Sequence, residues 1–128
     1  MNTQQSSTSS NSTGRLIGWL VSYALDSRGR AYEIRVGRSF ITAAPIPGQR
    51  GITLENSSVE CAHIALSASP RHKVMIQDIF SDSGTFVSKA STNKEARVTG
   101  PMEIEHGDWL RIGDKTRFQV CLIDGSAR

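Results

Sequence analysis

Within the run Ser58-Val59-Glu60-Cys61-Ala62-His63-Ile64-Ala65, a carboxylate, a thiol and an imidazole fall inside one short stretch. An imidazole this close to a carboxylate raises an acid–base reading. The rest of the chain supplies no partner for either. It has no Gly-x-Ser-x-Gly, no phosphate-cradling glycine loop and no HExxH. His63 is therefore read as a structural imidazole rather than an acid–base group. Asp78 and Asp82 sit in turn composition, where aspartate closes turns. His72 and His106 lie in the turns Pro70-Arg71-His72 and Glu105-His106-Gly107, where exposure to solvent is expected. Cys61 and Cys121 are the only cysteines and lack CxxC spacing, so neither a metal site nor a disulfide framework follows. Both stand in apolar runs and are expected to be buried free thiols. The expectation is no enzyme, no metal and no cofactor.

The surrounding elements must be small. The chain has 128 residues, 38% apolar and 21% charged, an ordinary balance for one globular domain. Its net charge of +3 is mild, and the arginines are interspersed with acids along the sequence. That pattern lacks the clustered stripe that nucleic acid requires, so no nucleic-acid partner is expected. No apolar run is long enough to span a membrane, and the N-terminus lacks the basic and apolar regions of a secretory signal. A cytoplasmic location is the default expectation.

Residues 1–13 are almost all Asn, Gln, Ser and Thr. Such a segment cannot bury enough apolar surface to offset its ordering entropy, and it is read as a disordered tail. From Leu16 the chain reads as about eleven short strands separated by glycine or polar turn clusters, with no sustained helical period. Tyr32-Glu33-Ile34-Arg35-Val36 pairs back on the first strand, and Gly37-Arg38 turns the chain again. Ala44-Pro45-Ile46-Pro47-Gly48 forces a loop, because prolines deny a ladder its donors. The fold class expected is an all-β sandwich over residues 14–124, with a short tail at 125–128.

Four segments then carry a resemblance. Tyr32-Glu33-Ile34-Arg35-Val36-Gly37-Arg38 opens the series. Ile52-Thr53-Leu54 leads to Ser58-Val59 and His63-Ile64-Ala65. Asp78-Ile79-Phe80-Ser81-Asp82-Ser83-Gly84-Thr85-Phe86-Val87 follows, and then Ile104-Glu105-His106-Gly107-Asp108-Trp109-Leu110-Arg111-Ile112-Gly113. In this order they resemble the forkhead-associated (FHA) domains, which implies an FHA-like β-sandwich and a phosphothreonine-binding end. The resemblance implies an Arg, a Ser, a second Arg or Lys and an Asn as the phosphate-holding set. Arg38 is the tempting match for the first Arg. It lies too far before Ile52, and Ile41-Thr42-Ala43 fits the spacing better. That register puts Ala43, Glu60, Cys61 and Ser83 at the four positions, leaving His63, Gly84 and Thr85 as retained. Gly84 is expected to supply a turn conformation and Thr85 to begin a strand.

A phosphothreonine carries nearly two negative charges. A carboxylate about 4 Å from one of them costs about 4 kcal/mol at an effective dielectric near 20, against roughly 8 kcal/mol for a whole micromolar complex. The expectation is a phosphate-independent protein-interaction module, of the kind that serves signalling or bacterial secretion scaffolds. Arg38, Ala43, Arg50, Glu60, Cys61, Ser83, Gly84 and Thr85 are its candidate loop-end residues. Arg38 or Arg50 is expected to reach the site from a flanking loop, or to pair with Glu60 in place of a phosphate. The competing reading is a phosphothreonine reader with a displaced pocket, whose ligand is a phosphorylated partner or the chain's own N-terminal tail.

Overall fold

The computed structural model describes residues 14–55 and 58–125. The tail assigned to residues 1–13, and all of the tail assigned to 125–128 except Gly125, lie outside the described residues. Alternation of apolar and polar positions produces short strands here, and the buried set confirms the period. In β1 (Leu16–Ser22), Gly18, Leu20 and Ser22 alternate inward, and a register shift between Leu16 and Gly18 lets Ile17 be buried as well. In β10 (Trp109–Ile112), Leu110 and Ile112 face in while Trp109 and Arg111 face out. The other strands are β2 (Arg30–Arg35), β3 (Gly37–Thr42), β4 (Gly51–Thr53), β5 (Ile64–Ala68) and β6 (Val74–Asp78). β7 (Thr85–Ser88), β8 (Glu95–Arg97), β9 (Met102–Ile104) and β11 (Thr116–Leu122) complete them.

Two sheets face each other. One has the order β2-β1-β11-β10-β7-β8, the other β4-β3-β5-β6-β9. Pairing is antiparallel throughout except between β3 and β4, where Ile41 meets Ile52 in a parallel register. Between them lies one core built from Ile17, Leu20, Ile34, Ile41, Ile64, Ile76, Leu110, Ile112 and Phe118, among others. Among the described residues no helix is long and apolar enough to cross a membrane.

Three local expectations are corrected. Gly37 and Arg38 do not form a turn; both already belong to β3, where Arg38 pairs with Ser67. The chain leaves one sheet after Arg35 and enters the other at Gly37, whose φ of 116° makes so abrupt a passage open to glycine. His72 is buried rather than exposed, with Nδ1 2.7 Å from the carbonyl of Ile123. The turn that carries it is covered by the segment following β11. The two cysteines are free, but Cys61 is exposed and Cys121 only partly covered, because each projects from the outer side of its element.

Asp108 shows how the turn before β10 is held. It is buried, and its carboxylate accepts the amides of Ala90 (3.0 Å) and Glu105 (2.8 Å) and the ammonium of Lys89. Burial alone would push the Lys89 pKa down. Its bonds to Asp108 and Glu105 outweigh that and hold it above the ordinary value. Asp108→Ala leaves the Ala90 and Glu105 amides without their acceptor and takes one of three acceptors from the Lys89 ammonium, which keeps the Glu103 carbonyl and Glu105. It is expected to lower the unfolding free energy by about 3 kcal/mol in urea denaturation; a loss under about 1 kcal/mol would contradict this account of the turn.

Candidate functional site

One end of the sandwich collects the β3–β4, β4–β5, β6–β7 and β10–β11 connections. A single imidazole ties them. His63 lies one residue before β5 and is fully buried. Its Nδ1 accepts the amide of Glu60 at 3.0 Å, and its Nε2 lies 3.0 Å from the carbonyl of Gly84. Nδ1 accepts, so the bonding network assigns the proton to Nε2, which donates to Gly84. The His63 backbone extends the tie, donating to Ile41 and accepting from Ile79. The Gly84 carbonyl also receives the amide of Gly113, and Gly113 passes so close to Ser58 that a Cβ there would lie 2.4 Å from the serine Cβ.

The β6–β7 loop closes on Asp78. One carboxylate oxygen accepts the Ser81 amide at 2.9 Å, and the other accepts the Ser81 and Thr85 hydroxyls at 2.5 and 2.6 Å. Burial pushes this carboxyl up, but the Ser81 and Thr85 bonds outweigh it and the pKa lies below the ordinary value. Ser81 in turn accepts the Gly84 amide. Gly84 has a φ of 89°, and an added Cβ would sit 2.9 Å from the Phe86 ring. The loop conformation therefore depends on glycine there.

Glu60 completes the end. Its Oε2 accepts the amide of Asp82 at 2.7 Å, the amide of Ser83 at 3.0 Å and the hydroxyl of Ser83 at 3.2 Å. Consecutive amides converging on one point form an anion-binding concavity. Here an internal carboxylate fills it. The Ser83 amide is the largest cause of a Glu60 pKa below the ordinary carboxylate value, and the Asp82 amide and Ser83 hydroxyl add to it against burial. Ser83 also donates its hydroxyl to Ser58, so the β4–β5 and β6–β7 loops are sewn together.

Ala43 lies against the same loop, donating its amide to the Glu60 carbonyl at 3.1 Å. Neighbouring Thr42 accepts the Ala62 amide at 2.9 Å, which fixes the left-handed Ala62 (φ 58°) and leaves Cys61 facing solvent. The structure thus brings Ala43, Glu60, Cys61, Ser83, Gly84 and Thr85 together around His63. It does not bring Arg38 and Arg50. The Arg50 guanidinium donates to the carbonyls of Val36 and Arg38, at the far end of β3. Val36 and Ala43 are seven residue steps apart along the extended strand, roughly 23 Å at strand rise. The expected approach of these arginines to the loop end is corrected on that ground.

Two residues were missed. Phe80 is 98% exposed at the tip of the β6–β7 loop, with a φ of 50°. The signal was an aromatic inside a polar turn cluster. Arg97 is the second: its guanidinium carbon would lie 3.3 Å from a Cβ on Gly84. Nothing in the sequence joins positions 84 and 97; the β7–β8 register does. A cleft of about 500 Å³ lies elsewhere, between the edges of β2 and β4 beneath the β3–β4 loop. Among the described residues no group of three or more His, Cys, Asp or Glu could hold a metal ion.

Comparison with known proteins agrees with this geometry. A family model described as FHA domain matches residues 34–113. A solved structure from work on phosphothreonine-dependent FHA domain interactions superposes with a TM-score of 0.63 at 20% identity, covering 84% of this chain and 97% of that one. The FHA domain of an Arabidopsis thaliana hypothetical protein gives 0.64 at 16% identity, covering 96% and 95%. The FHA domain of human APLF, solved with an XRCC1 bisphospho peptide, gives 0.64 at 16% identity, covering 83% and 99%. A search of curated proteins finds no significant match.

His63→Ala removes the acceptor of the Glu60 amide and leaves a cavity. It is expected to cost about 2–4 kcal/mol of unfolding free energy; a loss below 1 kcal/mol would show that the loops hold without it. The pKa values of Glu60 and Asp78 are depressed on folding, so their contributions are present above the ordinary carboxylate values, 4.5 and 3.8, and fade as pH falls through the lower folded values. The amide resonances of Asp82 and Ser83 are expected to titrate with a midpoint below 4.5 and to lose that titration in Glu60→Gln. A midpoint above 4.5 would contradict the contact.

Proposed function

The chain belongs to the FHA domain family, and from that premise we propose that it is a non-enzymatic protein-interaction module whose loop end binds a partner segment without requiring phosphate. The observation that carries this reading is the Glu60 carboxylate seated on the Asp82 and Ser83 amides. A phosphate entering there meets donors already in use and a negative charge at contact distance. Glu60 is partly exposed, so solvent screening reduces the repulsion below the dry figure, but its sign is unchanged. Ala43 and Cys61 bring no compensating guanidinium to the same place. A charge-assisted bidentate grip is therefore missing as well.

This end also offers an exposed aromatic and an exposed thiol beside the exposed Asp82. Phe80 stands almost wholly in solvent on a loop fixed by Asp78, Ser81 and Gly84, with Cys61 exposed on the adjoining loop. A rigidly presented aromatic is the kind of side chain that anchors protein interfaces. Residues 14–124 form the interacting unit in this reading, and its setting is an intracellular signalling or assembly complex.

Calorimetric titration of the full chain with paired peptides tests this. Phosphothreonine peptides and their unphosphorylated twins are expected to bind within about twofold of one another. Combining Ala43→Arg, Glu60→Ser, Cys61→Arg and Ser83→Asn is expected to create a preference of about tenfold or more for the phosphorylated twin, roughly the 1.4 kcal/mol of one charge-assisted contact. Phe80→Ala should weaken a peptide selected from an unphosphorylated display library about tenfold. A parent chain that already prefers phosphate tenfold would overturn the reading.

A further inference from the structure

The outer face of the six-stranded sheet carries charge that the loop end does not use. Register places Arg117, Arg111, Phe86 and Arg97 in one row across β11, β10, β7 and β8. Arg111 lies 4.0 Å over the Phe86 ring, Arg97 lies 5.7 Å from it, and Arg117 lies 5.5 Å over Trp109. Like charges directly opposite on neighbouring strands repel, and Arg111 faces Arg117 in this way. Only Arg111 is neutralised by direct contact: Glu95 bonds its Nε and a terminal nitrogen at 2.9 and 2.7 Å. Asp114 acts on Arg111 from the next turn, where Lys115 adds a further cation. Among the described residues Arg97 and Arg117 make no ion pair, and both are exposed. Glu95 acts on Arg117 as well as on Arg111, so among the described residues the row presents two guanidiniums, Arg97 and Arg117, without a direct carboxylate partner, each beside an aromatic ring.

We propose that this row receives an extended acidic segment of a partner protein, with carboxylates at alternate positions. Spacing supports that occupant. Strands lie about 4.8 Å apart, so the backbones of Arg97 and Arg117 are separated by three steps, about 14 Å. Side chains on one face of an extended peptide recur every two residues, about 6.7 Å, so positions i and i+4 span about 13 Å. Acids at i and i+4 meet Arg97 and Arg117, while i+2, about 6.7 Å along, falls between Phe86 at about 4.8 Å and Arg111 at about 9.6 Å. A single-stranded nucleic acid would offer similar charge, but it gains affinity by stacking bases on aromatic faces. Here Phe86 and Trp109 are already covered by guanidinium groups, which favours the peptide. The row starts beside Gly84, so a segment lying on it continues from the loop end without a gap.

The test follows the arginine Nε–H and Trp109 indole resonances of the full chain at low salt. Three probes are titrated: a decapeptide with Glu at i, i+2 and i+4, its isomer with the three Glu contiguous, and a ten-residue oligothymidylate. The alternating peptide is expected to shift Arg97, Arg117 and Trp109 saturably and to bind at least about threefold better than its isomer. It should lose about fivefold or more in the Arg97→Gln, Arg117→Gln double variant, whose unchanged melting temperature reports an intact fold. Four results would each overturn the proposal: no saturable shift, shifts confined to residues 81–84, equal binding by the double variant, or tighter binding of the oligonucleotide. A failure here leaves the phosphate comparison at the loop end standing, because the two experiments read different residues.

Discussion

One oxygen of Glu60 receives two backbone amides and a hydroxyl, and the loop end is arranged around that contact. It fills the concavity of the β6–β7 loop with an internal acceptor. The contact is possible because His63 presents the Glu60 backbone at the right height, accepting its amide while donating to Gly84 on the opposite loop. It persists because Asp78 and Ser81 fix the turn and Gly84 adopts a φ that side chains avoid. A charge placed inside such a network is held by several short bonds at once, so an outside anion competes with all of them.

The sandwich divides its work between an end and a face. At the end, polar donors are consumed internally and a lone aromatic, Phe80, is left for contact. On the face of the larger sheet the reverse holds. The aromatics Phe86 and Trp109 are covered, and among the described residues Arg97 and Arg117 stand beside them without a direct carboxylate partner. An interface that meets both regions would combine an apolar anchor with flanking charge pairs, the division between core and rim that protein interfaces use.

Much of the fold was legible because period-2 alternation survives in β5, β6, β7, β10 and most of β11. Ile34, Ile76, Leu110 and Phe118 each sit where alternation puts them, and turn clusters mark the breaks. The passage at Gly37 was not legible, since glycine followed by arginine reads as a turn whether the chain reverses or only changes sheets. The side-chain partners of Glu60 were not legible either. An acid beside an absent arginine suggests a search for another arginine, yet backbone amides are invisible in a sequence and they took the role. Spacing argued for Ala43 over Arg38, and the Ala43 amide bond to Glu60 shows which of the two stands at the loop end. The arginine row escaped notice because residues 97, 111 and 117 are adjacent only through sheet order.

The most direct measurement is a nitrogen–proton correlation titration of the unaltered full chain with a phosphothreonine peptide at neutral pH, followed at the Asp82 and Ser83 amides. Both resonances should stay in place to millimolar peptide, because the Glu60 carboxylate holds those donors. A saturable shift at both amides, absent with the unphosphorylated peptide, would show that phosphate takes that place and would contradict the account.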